Sequence, residues 1–168
     1  GINNNRFSFF QRDYTQQPIF FFASKLIVSK GVEEYLEAAR QLTKKDINAK
    51  FLIAGKYDLN ESDPISARSY EALRNDDQIN YLGELSYEQM SEALNNSTIF
   101  VLPSYGEGLP KVLLEAAATG LPLIATDVPG CRDAIIPFKT GLLVPKKNST
   151  KLADAIQWLI ENPTDRVK

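Results

Sequence analysis

The chain reads as an α/β domain: an open, Rossmann-like parallel sheet of about six strands with helices on both faces. Short continuous apolar runs bounded by turn residues recur along it, as strands buried on both faces require. Segments with helical apolar periodicity fill the intervals between those runs, and such alternation implies parallel strands joined by right-handed crossovers. Finally, 168 residues with 43% hydrophobic content are enough for one domain with a real core.

Residues 1–18 carry the weakest pattern. Asn3-Asn4-Asn5 and Gln16-Gln17 mark a connecting segment with room for a short strand, so the domain proper is expected over 19–168. Strands are predicted at Ile19–Ser24, Ala49–Ala54, Ile79–Leu82, Thr98–Leu102, Pro122–Thr126 and Gly141–Val144. Helices are predicted at Val32–Lys44, Ile65–Asn75, Tyr87–Asn95, Lys111–Thr119 and Lys151–Ile160. Asp63-Pro64 reads as the entry to the second helix, and Ser86-Tyr87-Glu88-Gln89 as a capping box opening the third. In sheets of this kind ligands bind beyond the carboxyl ends of the strands, where the strand order switches. If the first strand neighbours the fourth, Lys25 and Glu107 meet in one crevice.

Charge and composition narrow the function. A formal net charge of −2 supplies no basic stripe for nucleic acid. The longest apolar runs, Ile19–Ala23 and Ile99–Leu102, are too short to span a bilayer. Histidine is absent, which excludes histidine-based nucleophilic triads and most zinc-hydrolase sites within this chain. Cys131 therefore reads as packing rather than nucleophile, and a single cysteine with no N-terminal signal fits a cytoplasmic setting. No Asp-x-Asp pair offers a metal a place on a diphosphate, so no metal or other cofactor is expected. Lysine, arginine and backbone N–H groups would then neutralise an anionic ligand.

The segment from Pro103 to Glu115 carries the most information. Gly106 and Gly108 mark a tight turn, and Pro110 has the fixed φ that suits the first position of a helix. Glu107 falls in the loop and Glu115 in the helix's second turn. Between them lies a helix N-terminus, whose free N–H groups and dipole favour a phosphate. That layout suits a ligand with hydroxyls at both ends and phosphate between, as in a nucleotide sugar. The plainer reading is a charge-stabilised helix start, with Glu115 a solvated acid paired to Lys111 at i,i+4.

Residues 103–115 resemble the Glu-x7-Glu signature of retaining GT-B glycosyltransferases of family four, and residues 116–133 continue the same pattern. Ala23–Val32 is similar to a further segment of that family, and Leu142-Leu143-Val144-Pro145 to its closing strand. Within the family the chain most resembles bacterial enzymes that build lipid-linked saccharides. The resemblance implies one half of a two-domain enzyme: the C-terminal domain that binds a nucleotide-diphospho-sugar, a UDP-sugar above all. A saccharide or lipid-linked acceptor, and any association with the inner face of a membrane, would belong to an N-terminal domain outside this chain.

The same resemblance assigns roles. Glu115 would accept hydrogen bonds from the ribose hydroxyls, and Glu107 would hold the transferred sugar and favour the positive charge developing at its anomeric carbon. Lys25 and Lys30 would stabilise the departing diphosphate, or else be solvated lysines beside a helix start. The family's usual residue at position 25 is arginine, so a point charge replaces a bidentate fork. Backbone N–H groups around Gly106, Gly108, Leu109 and Lys111 would address phosphate or sugar oxygens, while the Lys111 side chain reads as a surface partner of Glu115. Glu84 and Leu85 would meet the base through their backbone, or form a plain strand-to-helix turn. Gly55 reads as structural; Val128-Pro129-Gly130 and Asp133 would shape the far wall, with Arg132 as a further cation. Glycosidase chemistry is rejected, because Glu115 would sit at the nucleoside and not at the reacting carbon. A non-catalytic nucleotide-sugar-binding or assembly module is the alternative. A nicotinamide oxidoreductase is remote, since no Gly-x-Gly-x-x-Gly follows the first strand.

Overall fold

The computed structural model describes residues 16–162; the remainder of the expected connecting segment, residues 1–15, lies outside the described residues. β1 (Ile19–Ala23) is an unbroken apolar run whose side chains alternate across the sheet. Phe20 and Phe22 enter one core, Phe21 and Ala23 the other. β4 (Ile99–Leu102) divides in the same way, with Ile99 and Val101 on the first face and Phe100 and Leu102 on the second. Both strands are covered on both sides, which is why neither shows an apolar/polar alternation in sequence.

With β2 (Lys50–Ala54), β3 (Ile79–Tyr81), β5 (Leu123–Thr126) and β6 (Gly141–Val144) these strands form one six-stranded parallel sheet in the order β3-β2-β1-β4-β5-β6. Phe20 pairs with Ile99 and Phe21 with Phe100, so β1 and β4 are neighbours and the strand order switches between them. Helices α1 (Val32–Lys44), α2 (Ala67–Arg74) and α6 (Ser149–Glu161) contribute to the first core. Helices α3 (Tyr87–Asn96), α4 (Lys111–Ala118) and α5 (Pro129–Ala134) contribute to the second.

Three local expectations change. The entry to α2 is Ser66, whose side chain accepts from Ser69 N–H at 3.0 Å, and not Asp63-Pro64. Asp63 takes a left-handed φ of 64°, Pro64 bridges to Ile27, and the buried Ile65 donates its N–H to the Leu26 carbonyl. Pro110 is the residue before α4 and not its first residue. Its ψ of 102° is extended, and its carbonyl accepts from Leu113 and Leu114. Residues 129–134, for which no helix was predicted, make a short helix with Pro129 at its start. The capping box of α3 is present in both directions, Ser86 Oγ accepting from Gln89 N–H and Gln89 Oε1 from Ser86 N–H.

Candidate functional site

The carboxyl ends of β1 and β2, the loop after β3 and the start of α4 enclose a cavity of about 400 Å³ beside the switch in strand order. Lys25, Glu84, Leu85, Lys111 and Glu115, all expected at a ligand, lie on its wall together with Gly55, Lys56 and Tyr87. Glu115 projects from the second turn of α4 and is only 6% exposed. Burial raises its carboxyl above the ordinary range, and Lys111 opposes this from 3.9 Å.

The Lys111–Glu115 ion pair expected at the surface is therefore present, yet it forms part of the cavity wall. Lys111 Nζ also lies 3.3 Å from the Tyr87 hydroxyl and 5.4 Å from the centre of its ring, joining the start of α4 to the start of α3.

Glu107, Lys30, Gly106, Gly108 and Leu109 do not line that cavity. They belong to a second cluster, built where the β4–α4 loop seats on the entry to α1. Gly31 makes the seating possible: at φ 81°, a Cβ there would fall 2.0 Å from the Pro103 carbonyl oxygen. Gly130, the second residue of α5, does the same from below, since a Cβ would fall 1.8 Å from the Gly108 oxygen and 2.6 Å from that of Glu107.

Hydrogen bonds fix the loop between these contacts. Tyr105 N–H donates to the Ser29 carbonyl at 2.8 Å, and its hydroxyl donates to both carboxylate oxygens of Glu34 in the first turn of α1. Burial and Glu34 push the Tyr105 hydroxyl well up, which keeps it a donor. Ser104 Oγ donates to the Gly106 carbonyl at 3.0 Å, while Thr126 Oγ1 donates to the carbonyl of Ser104. The Lys147 ammonium sits 5.0 Å from the centre of the Tyr105 ring. The outcome is a 2.6 Å ion pair between Lys30 and Glu107, with Glu107 11% exposed. A Cβ at Gly106 or Gly108 would meet nothing within 4 Å, and Leu109 is exposed, so this turn presents its backbone openly.

Lys25 is placed on the cavity wall as expected, but it is held by Glu61 at 2.8 Å. Arg132 is turned to Asp127 at 2.5 Å. Cys131 is fully buried, and burial raises its thiol, which agrees with packing. Neither Glu61 nor Glu34 was singled out from sequence. Glu34 reads there as an ordinary acid of a first helical turn, and Glu61 as one polar residue of a loop. Among the described residues no group of three or more His, Cys, Asp or Glu is placed to hold a metal, and no helix is long and apolar enough to cross a membrane.

The family model for glycosyl transferases group 1 matches residues 3–168. The chain belongs to this family. Among curated members it is 37% identical over 147 residues to N,N'-diacetylbacillosaminyl-diphospho-undecaprenol alpha-1,3-N-acetylgalactosaminyltransferase of Campylobacter jejuni, covering 88% of this chain and 36% of that protein. It is 34% identical over 151 residues to alpha-D-kanosaminyltransferase of Streptomyces kanamyceticus, covering 88% and 37% respectively. The chain thus spans a little over a third of these relatives. Among solved structures, sucrose-phosphate synthase from Thermosynechococcus elongatus superposes with a TM-score of 0.82 at 29% identity, over 99% of this chain and 43% of that one. The family's GT-B architecture agrees with the six-stranded parallel sheet described above.

Proposed function

We propose that the chain is the donor-binding domain of a retaining glycosyltransferase, taking a nucleotide-diphospho-sugar whose acceptor is bound by a domain outside it. The observation that carries this reading is Glu115: a carboxylate 6% exposed in the wall of a cavity at the switch in strand order, against one partly exposed lysine. An acid kept there at the cost of desolvation suits a ligand that donates two hydrogen bonds, as vicinal ribose hydroxyls do.

In this reading the nucleoside fills the cavity, with the base against the backbone of Glu84 and Leu85. The diphosphate passes the start of α4, where the N–H groups of Lys111 and Val112 precede the first intrahelical bonds at Leu113 and Leu114. Lys25 and Lys30 approach it from the β1 side. The sugar then meets the open turn around Gly106, Gly108 and Leu109, with Glu107 at its hydroxyls. As the bond from anomeric carbon to phosphate oxygen breaks, the lysines stabilise the charge gathering on the diphosphate and Glu107 the charge on the sugar ring. No base is supplied from this domain, which fits departure and attack on one face with retention. UDP is the first nucleotide to test, with a saccharide or a lipid-linked saccharide as acceptor. The Campylobacter relative's name, a transferase acting on a diphospho-undecaprenol sugar, supports the latter.

The test is direct binding. UDP or a UDP-sugar should shift backbone NMR signals of Ser24–Lys25, Glu84–Leu85 and Lys111–Glu115 and raise the melting temperature, and Glu115→Ala should abolish both effects. A chain that stays folded yet binds none of UDP, GDP or ADP refutes the proposal.

A further inference from the structure

The lysines on and beside the cavity already carry internal anions. Lys25 Nζ lies 2.8 Å from Glu61 Oε1, Lys56 Nζ 3.7 Å from Asp58 Oδ2, and Lys30 Nζ 2.6 Å from Glu107 Oε1. Glu107 has a role in the donor-domain reading, whereas Glu61 and Asp58 have none; both come from the loop between β2 and α2.

That loop is fastened to the Lys25 loop from several sides. Leu26 N–H donates to Lys56 O at 3.0 Å, Val28 N–H to Asp63 O at 2.8 Å, and Ile65 N–H to Leu26 O at 3.1 Å, while Ile27 and Pro64 form an antiparallel bridge. Within it, Glu61 N–H closes a turn on Asp58 O and Asn60 N–H bonds to Asp58 Oδ1. Glu61 is therefore delivered to Lys25 by ordered backbone.

We infer that Glu61 tempers the affinity of this site for phosphate: an internal anion that occupies Lys25 until the diphosphate of a nucleotide displaces it. The inference rests on the donor-domain reading. The pair is suited to exchange because the side chains are 58% and 30% exposed, and ion pairs that open to solvent are weak and screened by salt. A diphosphate outcompetes a single carboxylate through its larger charge and its further contacts at the start of α4. A neutral nucleoside gains nothing from Lys25 and is indifferent to Glu61. The loop thus narrows the gap in affinity between ligands that carry the diphosphate and ligands that do not require Lys25, and removing Glu61 should strengthen phosphate binding in general.

The test compares the full chain with Glu61→Gln, Lys25→Gln and the double variant, measuring UDP and uridine by calorimetry or NMR titration at low and high salt. Glu61→Gln should tighten UDP about two- to fivefold at low salt, the range in which exposed ion pairs act, with the gain fading at high salt. Uridine should be unchanged, and the gain should vanish in the Lys25→Gln background. Weaker or unchanged UDP binding by Glu61→Gln would make Glu61 a support for Lys25 or a bystander, and overturns the inference. So does a gain that persists without Lys25, or one shared by uridine. If UDP, GDP and ADP all fail to bind the wild-type chain, the donor-domain reading itself falls, an outcome distinct from the others.

Discussion

Replacing Glu115 by glutamine should move stability and ligand affinity in opposite directions. The wild-type carboxyl is 6% exposed and its one ion-pair partner among the described residues, Lys111, stands 3.9 Å away with its own side chain 59% exposed. Its ionised form is therefore disfavoured by folding, and its titration lies above the ordinary range. For an acid shifted upward the folded state holds more protons than the unfolded state across the window between the two values, so stability falls as pH rises through that window. Above that window the cost is fully present; below the unfolded carboxyl range, near pH 4, it is gone. Glutamine keeps the volume and removes the charge. We expect a gain on the order of 1 kcal/mol at pH 7, or about 2–4 °C in melting temperature for a domain of this size. The gain should shrink towards zero as the pH is lowered to about 4. The nucleotide should report the reverse. Losing charge-assisted acceptance from ribose hydroxyls costs about 1.5–3 kcal/mol, a weakening of UDP of roughly 10- to 150-fold. Calorimetric melting across pH and UDP titration of the same two chains decide the matter. A glutamine variant that is less stable at pH 7 shows that the carboxylate is held by favourable interactions, and one that binds UDP normally removes Glu115 from the ligand.

Gly130→Ala should destabilise the chain by about 1–3 kcal/mol in thermal melting, because its Cβ would enter the space of the Gly108 and Glu107 carbonyls and no flexible side chain is there to yield. Tyr105→Phe removes the hydroxyl bonded to Glu34 while keeping the ring under Lys147; a loss of about 1–2 kcal/mol is expected in the same assay, with little change in UDP affinity. Glu107→Gln frees Lys30 from a 2.6 Å ion pair, so UDP should bind about two- to tenfold more tightly. A matching UDP-sugar should lose whatever advantage it holds over UDP, a difference that paired titrations of the two ligands measure.

The sheet was legible because its strands are the chain's continuous apolar runs, and the expected bounds of β1, β4 and β6 differ from those observed by at most one residue. The capping box of α3 was legible because it is a contact between residues three apart. What escaped was nonlocal. A loop carboxylate such as Glu61 carries no periodicity, and its meeting with Lys25 depends on backbone bonds between two connections some thirty residues apart. The helix α5 escaped for the opposite reason: Pro129-Gly130 is a turn signal by composition, and tertiary seating of Gly130 under the β4–α4 loop explains its place in a helix. The start of α2 was misplaced because Asp-Pro is a common helix entry, whereas here Pro64 is drawn into a bridge with Ile27 and Ser66 caps instead.

The two acids of the Glu-x7-Glu segment sit in different electrostatic settings, and that difference bears on how they divide the work. Glu107 is tied to Lys30 at 2.6 Å, so its charge is matched before any ligand arrives. Glu115 has a looser cation and pays for its burial in stability, which leaves acceptor capacity open towards the cavity. A carboxylate matched in advance polarises a neighbouring centre without binding a ligand strongly; an unmatched one gains most from new hydrogen bonds. If the proposed donor-domain reading holds, affinity should reside mainly at the nucleoside end, with Glu115, and discrimination of the reacting sugar at the Glu107 end. In the proposed reading the anchoring of the Glu107 loop by Gly31, Tyr105 and Gly130 would serve that second task, since orientation at a reacting carbon tolerates less movement than recognition of a ribose does.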